Sequence, residues 1–130
     1  MTDVFSMEDR IKQSFYDAFD VANLGRYTKA LESFDMAIAI KPDDTRTWLY
    51  DGDTLGKLGR DCDAVNSYDK TIAIYPDFAD AWVHRGVALS HLGRYTEAVN
   101  VFDKAIAINP DYADAWVSRG DALVKFGRHA

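Results

Sequence analysis

The sequence of 130 residues has one cysteine, three prolines and no long apolar run. A single cysteine, Cys62, cannot form a disulfide within the chain, so the fold does not depend on an oxidising compartment. A membrane-spanning helix needs about 20 predominantly apolar residues, and no stretch approaches that length. The first residues also lack the basic flank and apolar segment of a signal peptide. We therefore expect a cytoplasmic protein that makes no contact with a membrane.

Positive charge is scarce as well. The chain has 15 lysines and arginines against 21 aspartates and glutamates, and its formal net charge is −6. Proteins that bind nucleic acids through the phosphates carry the opposite balance, so we expect no nucleic-acid partner. The hydrophobic share of 48% is nevertheless ordinary for a folded domain, which argues against disorder.

Motifs for catalysis are missing. There is no glycine-rich phosphate loop, and neither a serine nor the cysteine stands in a recognisable arrangement with histidine and aspartate. Asp80, His84 and His91 share a broad face of one predicted helix, but as metal ligands they would need a further group such as Asp53. We favour two solvent-facing histidines on a groove wall. The sequence therefore predicts a protein that is not an enzyme and holds no metal or cofactor.

What the sequence does contain is a regular period. Its three tryptophans, Trp48, Trp82 and Trp116, are separated by 34 residues each. Other columns follow the same spacing: Gly52, Gly86 and Gly120; Leu55, Leu89 and Leu123; Gly25, Gly59, Gly93 and Gly127, each followed by arginine; Ala30, Ala64 and Ala98; Phe34, Tyr68 and Phe102; Pro42, Pro76 and Pro110. A fixed period of this length indicates one structural unit that is stacked several times.

Each unit is predicted to contain two helices. Proline cannot donate a backbone hydrogen bond and disfavours helix in the residue before it, so the proline column marks the end of the second helix. The Gly–Arg column supplies the left-handed residue that ends the first helix. In the third unit these signals predict helices over residues 79–92 and 95–108. Helices joined by so short a turn must lie antiparallel.

The glycines inside the first helices need a separate reason, because glycine costs a helix roughly 1 kcal/mol relative to alanine. We expect Gly52 and Gly86 to face the second helix of their own unit, with the small residues Ala64 and Ala98 opposite. Such contacts would let the two helices approach closely. Stacked helix pairs would then share one continuous core.

The pattern Trp–x3–Gly–x2–Leu–x3–Gly, then Ala–x3–Phe/Tyr and Pro, resembles the tetratricopeptide repeat. The resemblance covers residues 11–130 and implies an all-α fold, a right-handed superhelical α-solenoid of antiparallel helix pairs in a single domain. It predicts repeats at 11–44, 45–78 and 79–112 and a half repeat at 113–130, with 1–10 as an N-terminal extension. The leucine usual before the mid-helix glycine is replaced by Asp51, Arg85 or Arg119. We expect these charges to meet across neighbouring repeats, Asp51 with Arg85 especially.

The two ends depart from the pattern. In the first repeat Ser14, Ala18 and Val21 replace tryptophan, glycine and leucine, and we predict a first helix from about residue 7 to residue 24. The last half repeat keeps the apolar residues of an internal repeat. These are Trp116, Leu123, Val124 and Phe126. Because such a face seldom stays exposed, either the chain is a fragment of a longer array or this helix pairs with a second molecule and forms a homo-oligomer.

In this family the first helices line a concave groove that binds partners. Carried over by position, the candidate partner-binding residues are Phe15, Phe19, Leu49, Tyr50, Asp53, Val83, His84, Val87, Val117 and Asp121. This groove is apolar with acidic spots, which would suit a hydrophobic or amphipathic segment with some basic residues. Alternatively, Phe15 and Phe19 pack as core under the N-terminal extension.

Some members of the family bind the acidic tail of heat-shock chaperones through a clamp of lysine, asparagine and arginine. The matching positions here carry Phe15, Phe19, Tyr50, Asp80 and His84, which disfavours that ligand. The resemblance implies a non-catalytic scaffold that binds a peptide or partner helix in the groove. Two other hypotheses are a self-assembly module acting through the C-terminal helix and the interaction arm of a larger protein or enzyme.

Overall fold

The protein is known from a computed structural model that describes the backbone of residues 7–129 and the side chains of residues 23–128. Every secondary-structure element in this part is a helix, which confirms the all-α prediction. The helices are α1 (Met7–Ile40), α2 (Thr45–Lys57), α3 (Asp61–Ile74), α4 (Ala79–His91), α5 (Tyr95–Ile108) and α6 (Ala113–His129). Each packs mainly against its neighbours in the chain, as in a stack of helix pairs. None of these helices is both long and apolar enough to span a membrane.

The helix pairs α2–α3 and α4–α5 form where the local signals predict them. Helices α4 and α5 match the predicted ranges to within one residue. Gly59 and Gly93 have φ angles of 75° and 76°, the left-handed region that favours glycine. In both turns the arginine that follows donates its N–H to a carbonyl inside the preceding helix, from Arg60 to Leu55 at 2.8 Å and from Arg94 to Leu89 at 2.9 Å. The turn chemistry is therefore local and repeats with the period.

The tryptophan and proline columns are joined by a hydrogen bond. The indole nitrogen of Trp82 donates to the carbonyl of Pro76 at 2.7 Å. Trp48 and Trp116 make the same bond, to Pro42 at 2.7 Å and to Pro110 at 2.9 Å. Each bond links a first helix to the loop that precedes it and so positions one repeat on the last. This contact explains why the two columns keep a fixed six-residue separation.

The atoms nearest to the mid-helix glycines belong to aromatic rings of the second helix, which the sequence analysis did not place there. A Cβ on Gly52 would lie 2.6 Å from the ring of Tyr68, and one on Gly86 would lie 2.4 Å from the ring of Phe102. Side chains on a helix lean toward its N-terminus. The ring therefore reaches back one turn and covers the glycine, while the alanine of the column is buried beside it.

Helix α1 is continuous from residue 7 to residue 40, so the predicted helix end at Leu24 and turn at Gly25 are wrong. Among the described residues only Gly59 and Gly93 have positive φ angles. The repeat offers a steric reason. Ala18 stands where Gly52 and Gly86 stand in later repeats, and at those two glycines an added Cβ would overlap the aromatic ring of the second helix. Residues 26–40 alone then take the place of a second helix and pack against α2.

The charges that replace the family's leucine pair with the second helix of the preceding repeat. Arg85 donates through Nε to Asp69 at 2.6 Å, and Arg119 donates to Asp103 at 2.6 Å, sixteen residues back in each case. The expected pair of Asp51 with Arg85 is therefore wrong, because an arginine at this position reaches a second helix and not a first helix. The residue sixteen positions before Asp51 is Asp35. At this position of the second repeat, the equivalent contact therefore brings two carboxyl groups together.

Candidate functional site

The first helices α2, α4 and α6 surround a cavity of about 690 Å³ on one face of the stack. Its wall is made of Asp53, Gly56, Lys57, Asp61, Tyr68, Val83, His84, Val87, Ala88, His91, Tyr112, Asp114, Val117 and Ser118. Half of the ten predicted groove residues are in this wall, namely Asp53, Val83, His84, Val87 and Val117. They converge because the 34-residue period places equivalent positions of successive first helices side by side.

Asp53 is the centre of a hydrogen-bonded cluster on the cavity wall. The Tyr68 hydroxyl donates to Asp53 Oδ1 at 2.6 Å, and the His84 Nδ1 lies 2.6 Å from the same oxygen. The rings of Tyr68 and His84 meet edge to face with centroids 5.8 Å apart. Asp53 is thus already engaged by two side chains and is not a free acidic spot for a partner.

This cluster shifts the protonation of its members. The hydrogen bond to Asp53 raises the pKa of His84 above its ordinary value, and burial only partly opposes the effect. Burial, followed by the hydrogen bond to Asp53, raises the pKa of Tyr68, so its hydroxyl stays protonated and remains a donor. The contact with Asp53 therefore favours the protonated imidazole, which can form an imidazolium–carboxylate pair on the cavity wall.

Two further polar residues of the wall, His91 and Tyr112, also have partners. His91 Nδ1 lies 3.3 Å from Asp61 Oδ1. Burial and a hydrogen bond to Asp80 raise the pKa of Tyr112. Within the described residues no group of three or more histidine, cysteine, aspartate or glutamate side chains is arranged to hold a metal ion. The histidines of α4 instead pair one by one with aspartates of the preceding repeat.

Leu49 was predicted to line the groove, but it is buried in the core and is absent from the cavity wall. Leu49 and Val83 are 7% and 5% exposed, whereas Val117 of the last repeat is 71% exposed. The repeat position shared by Leu49, Val83 and Val117 is therefore buried where a following repeat packs against it.

The remaining predicted groove residues lie outside the cavity wall. Tyr50 is exposed on α2 beside the Phe34 ring, with centroids 6.0 Å apart. Asp121 pairs with Lys125 at 3.0 Å. The side chains of Phe15 and Phe19 lie outside the described residues.

Tyr68 is the main cavity residue that the sequence analysis did not select. It belongs to the aromatic column of the second helices, together with Phe34 and Phe102. A comparison of the repeats could have predicted its position. Tyr68 and Asp53 of one repeat correspond to Phe102 and Val87 of the next. A hydroxyl and a carboxylate appear together and disappear together, which indicates contact.

The four predicted self-association residues form an exposed face on α6. They are Trp116, Leu123, Val124 and Phe126. Leu123 is 44% exposed, although its equivalents Leu55 and Leu89 are buried. A Cβ on Gly120 would meet nothing within 4 Å. Helix α6 is therefore a first helix that has no second helix among the described residues.

A stack of antiparallel helix pairs with a 34-residue period and a groove along its first helices is an α-solenoid of the helical-repeat class. The profile of a family described as TPR repeat matches residues 91–127, and that of a second, described as Tetratricopeptide repeat, matches residues 67–100. Together with the columns from Trp48 onward, these matches identify the chain as a member of the tetratricopeptide-repeat proteins. No curated protein matches it in sequence.

Solved structures share the fold, among them two tetratricopeptide-repeat domains and MamA. The first such domain of Spaghetti (RPAP3), bound to the HSP90 peptide SRMEEVD, is 16% identical, with a TM-score of 0.75 over 79% of this chain and 82% of that one. The second domain of human RPAP3, in complex with the HSP70 peptide SGPTIEEVD, is 20% identical, with a TM-score of 0.73 over 89% and 91%. MamA is 23% identical, with a TM-score of 0.74 over 98% and 68%.

Proposed function

We propose that this chain is a non-catalytic scaffold that binds a peptide or partner helix in the cavity between α2, α4 and α6. The observation that carries the proposal is the cavity itself, which is open, large enough for several side chains and walled by Val83, Val87 and Val117 between polar groups. Two solved domains of the same fold hold peptides. Tetratricopeptide repeats generally serve as protein-interaction modules without catalysis, and this function would also suit the interaction arm of a larger protein.

The wall chemistry favours a different ligand from the acidic peptides held by those two domains. Asp114, at the N-terminal end of α6, lines the cavity together with Asp53 and Asp61. An acidic tail would meet these carboxylates, and desolvating like charges against each other is unfavourable. A segment with an apolar face and a lysine or arginine directed at Asp114 fits better.

A pair of variants tests the groove. Val87→Asn with Val117→Asp would place polar groups on the cavity wall, and Val117 is exposed enough to accept the change without loss of the fold. Ile74→Ser, at an exposed apolar residue outside the cavity, is the matched control. We expect affinity capture with the wild type and the control to recover the same proteins, and the double variant to lose them. Equal recovery by all three, with unchanged circular dichroism, would contradict groove binding.

We propose self-assembly through α6 as a second function. The observation in its favour is the open space at Gly120, where the two earlier repeats have an aromatic ring. Monomeric soluble proteins rarely leave a contiguous apolar patch of this kind uncovered.

A further inference from the structure

We infer that copies of this chain associate head to tail, with α6 of one copy packed against residues 26–40 of α1 in the next. This inference rests on the proposed self-assembly through α6 and names the surface that α6 meets. Two open faces of the same chain carry the inference. One is the first helix α6, which has no second helix among the described residues, and the other is the second-helix part of α1, which has no first helix packed on it there.

The open second helix is the C-terminal half of α1. In α3 the residues Ala64, Tyr68 and Thr71 are buried against their neighbours, and in α5 the same holds for the equivalent Ala98, Phe102 and Ala105. The corresponding residues of α1 are uncovered: Ala30 and Phe34 are only half-buried, and Ala37 is exposed. Because α1 is one continuous helix, residues 7–24 continue along its axis and do not fold back over this face.

The open first helix is α6. Its exposed face contains Trp116 and Leu123 with Gly120 between them. At Gly52 and Gly86 an aromatic ring of the following helix occupies the space that a Cβ would need, whereas the space at Gly120 is open. The face therefore has the shape that receives a ring from a helix of the α3 or α5 type.

The two faces match residue by residue. Three repeats contain 102 residues, so residue 34 of the next copy takes the place that residue 136 would have in a longer array. That place is sixteen residues after Gly120, just as Tyr68 follows Gly52 and Phe102 follows Gly86 by sixteen. The Phe34 ring of the next copy then seats on Gly120.

The same offset brings a polar pair together. His84 follows Asp53 by 31 residues and contacts its carboxylate. The same 102-residue offset places Tyr50 of the next copy 31 positions after Asp121, as His84 is placed after Asp53. Tyr50 is exposed in the single chain, and its hydroxyl is a donor that suits this carboxylate. The association thus continues the contacts already used between repeats.

Pairing of two α6 helices across a two-fold axis is the competing arrangement. It would cover α6 but leave Ala30, Phe34 and Ala37 open. The head-to-tail contact covers both faces, and because its two surfaces differ it does not close on itself after two copies. It therefore predicts growth into longer assemblies as the concentration rises.

Two variants block one face each. Gly120→Ala adds a methyl group that meets nothing in the single chain but would meet the incoming Phe34 ring at about the 2.4 to 2.6 Å found at the other glycines. Ala37→Arg adds a charge at an exposed position whose equivalents are buried. Gly56→Ala, where the nearest atom is 4.0 Å away, is the control for the first. Met36→Arg, in a column that holds Lys70 and Lys104, is the control for the second.

Sedimentation velocity over a range of concentrations distinguishes the arrangements. We expect the wild type and both controls to grow beyond a dimer, and each blocked variant to associate at least about tenfold more weakly. A mixture of the two blocked variants should form a heterodimer that grows no further, because each retains the face that the other has lost. Circular dichroism and thermal unfolding verify that every variant is folded.

Three results would overturn the inference in distinguishable ways. If Ala37→Arg still dimerises while Gly120→Ala does not, α6 pairs with itself, and self-assembly survives without the head-to-tail contact. If the mixture forms no heterodimer, the two faces do not meet. A wild type that stays monomeric at millimolar concentration would refute both the inference and the proposed self-assembly.

Discussion

The carboxyl of Asp51 allows a quantitative test of how α1 packs on α2. Asp51 is only 4% exposed. The Ser67 hydroxyl donates to its Oδ2 at 3.0 Å, while its Oδ1 has no hydrogen-bond partner among the described residues. Burial, together with the neighbouring carboxyl of Asp35, raises the pKa of Asp51 to about 7. We expect replacement by Asn to remove a pH-dependent loss of stability.

The magnitude follows from linkage between protonation and folding. The ordinary pKa of the group is 3.8, so the folded state raises it by about 3 units. At about 1.4 kcal/mol per unit this sets a ceiling of about 4 kcal/mol. Because the folded-state pKa is raised, the stabilising form is the neutral acid. Its contribution is complete below about pH 4 and is lost as the pH rises to about 7.

We expect the observed effect to be roughly 1 to 3 kcal/mol, since rotation of the exposed Asp35 side chain relieves part of the repulsion. Urea unfolding at pH 5 and pH 8 measures it in the wild type and in Asp51→Asn. The variant should be more stable than the wild type at pH 8, and the advantage should shrink at pH 5. The pKa of His84 is raised as well, but His84 is present in both proteins, so its contribution cancels in the difference.

One result would refute this reasoning. If the wild type and Asp51→Asn differ by the same free energy at both pH values, the Asp51 carboxyl does not titrate in this range. Asp51→Arg offers an independent check, because Arg85 and Arg119 each pair with an aspartate sixteen residues back and an arginine at 51 would face Asp35 in the same way. It should stabilise the protein at pH 8.

Two further predictions concern the repeats and the groove. Gly86→Ala should destabilise the fold by about 1 to 3 kcal/mol in thermal unfolding, because the added methyl group would overlap the fully buried ring of Phe102. Gly120→Ala should not destabilise the fold, because a Cβ there meets nothing within 4 Å. Equal melting temperatures for the two variants would disprove the ring contact. Asp53→Asn should lower the pKa of His84 in an NMR titration, because the carboxylate that raises it most is lost while burial remains. An unchanged His84 titration would show that the carboxylate does not hold the ring.

The groove was only partly predictable. Val83, His84 and Val87 are at helical spacing on one face of α4, so any stack of first helices brings them to the same side. Leu49 has the same repeat position as Val83, and its burial depends on what covers it. Tyr68 reaches the groove from a second helix, across the glycine that its ring covers. The repeat position of a residue does not show whether its side chain reaches the groove, because the length and direction of the side chain decide this.

The 34-residue period by itself determined the helices from α2 to α5, because their ends depend on local chemistry: a left-handed glycine closes one turn, and a proline stops the next helix. Only the tertiary structure decided what happens at residue 25. Gly25–Arg26 has the same letters as Gly59–Arg60, yet it stays inside α1. A glycine permits a turn, but the turn forms only when the two helices can pack, and the first repeat has Ala18 in place of the glycine that lies under an aromatic ring in the later repeats.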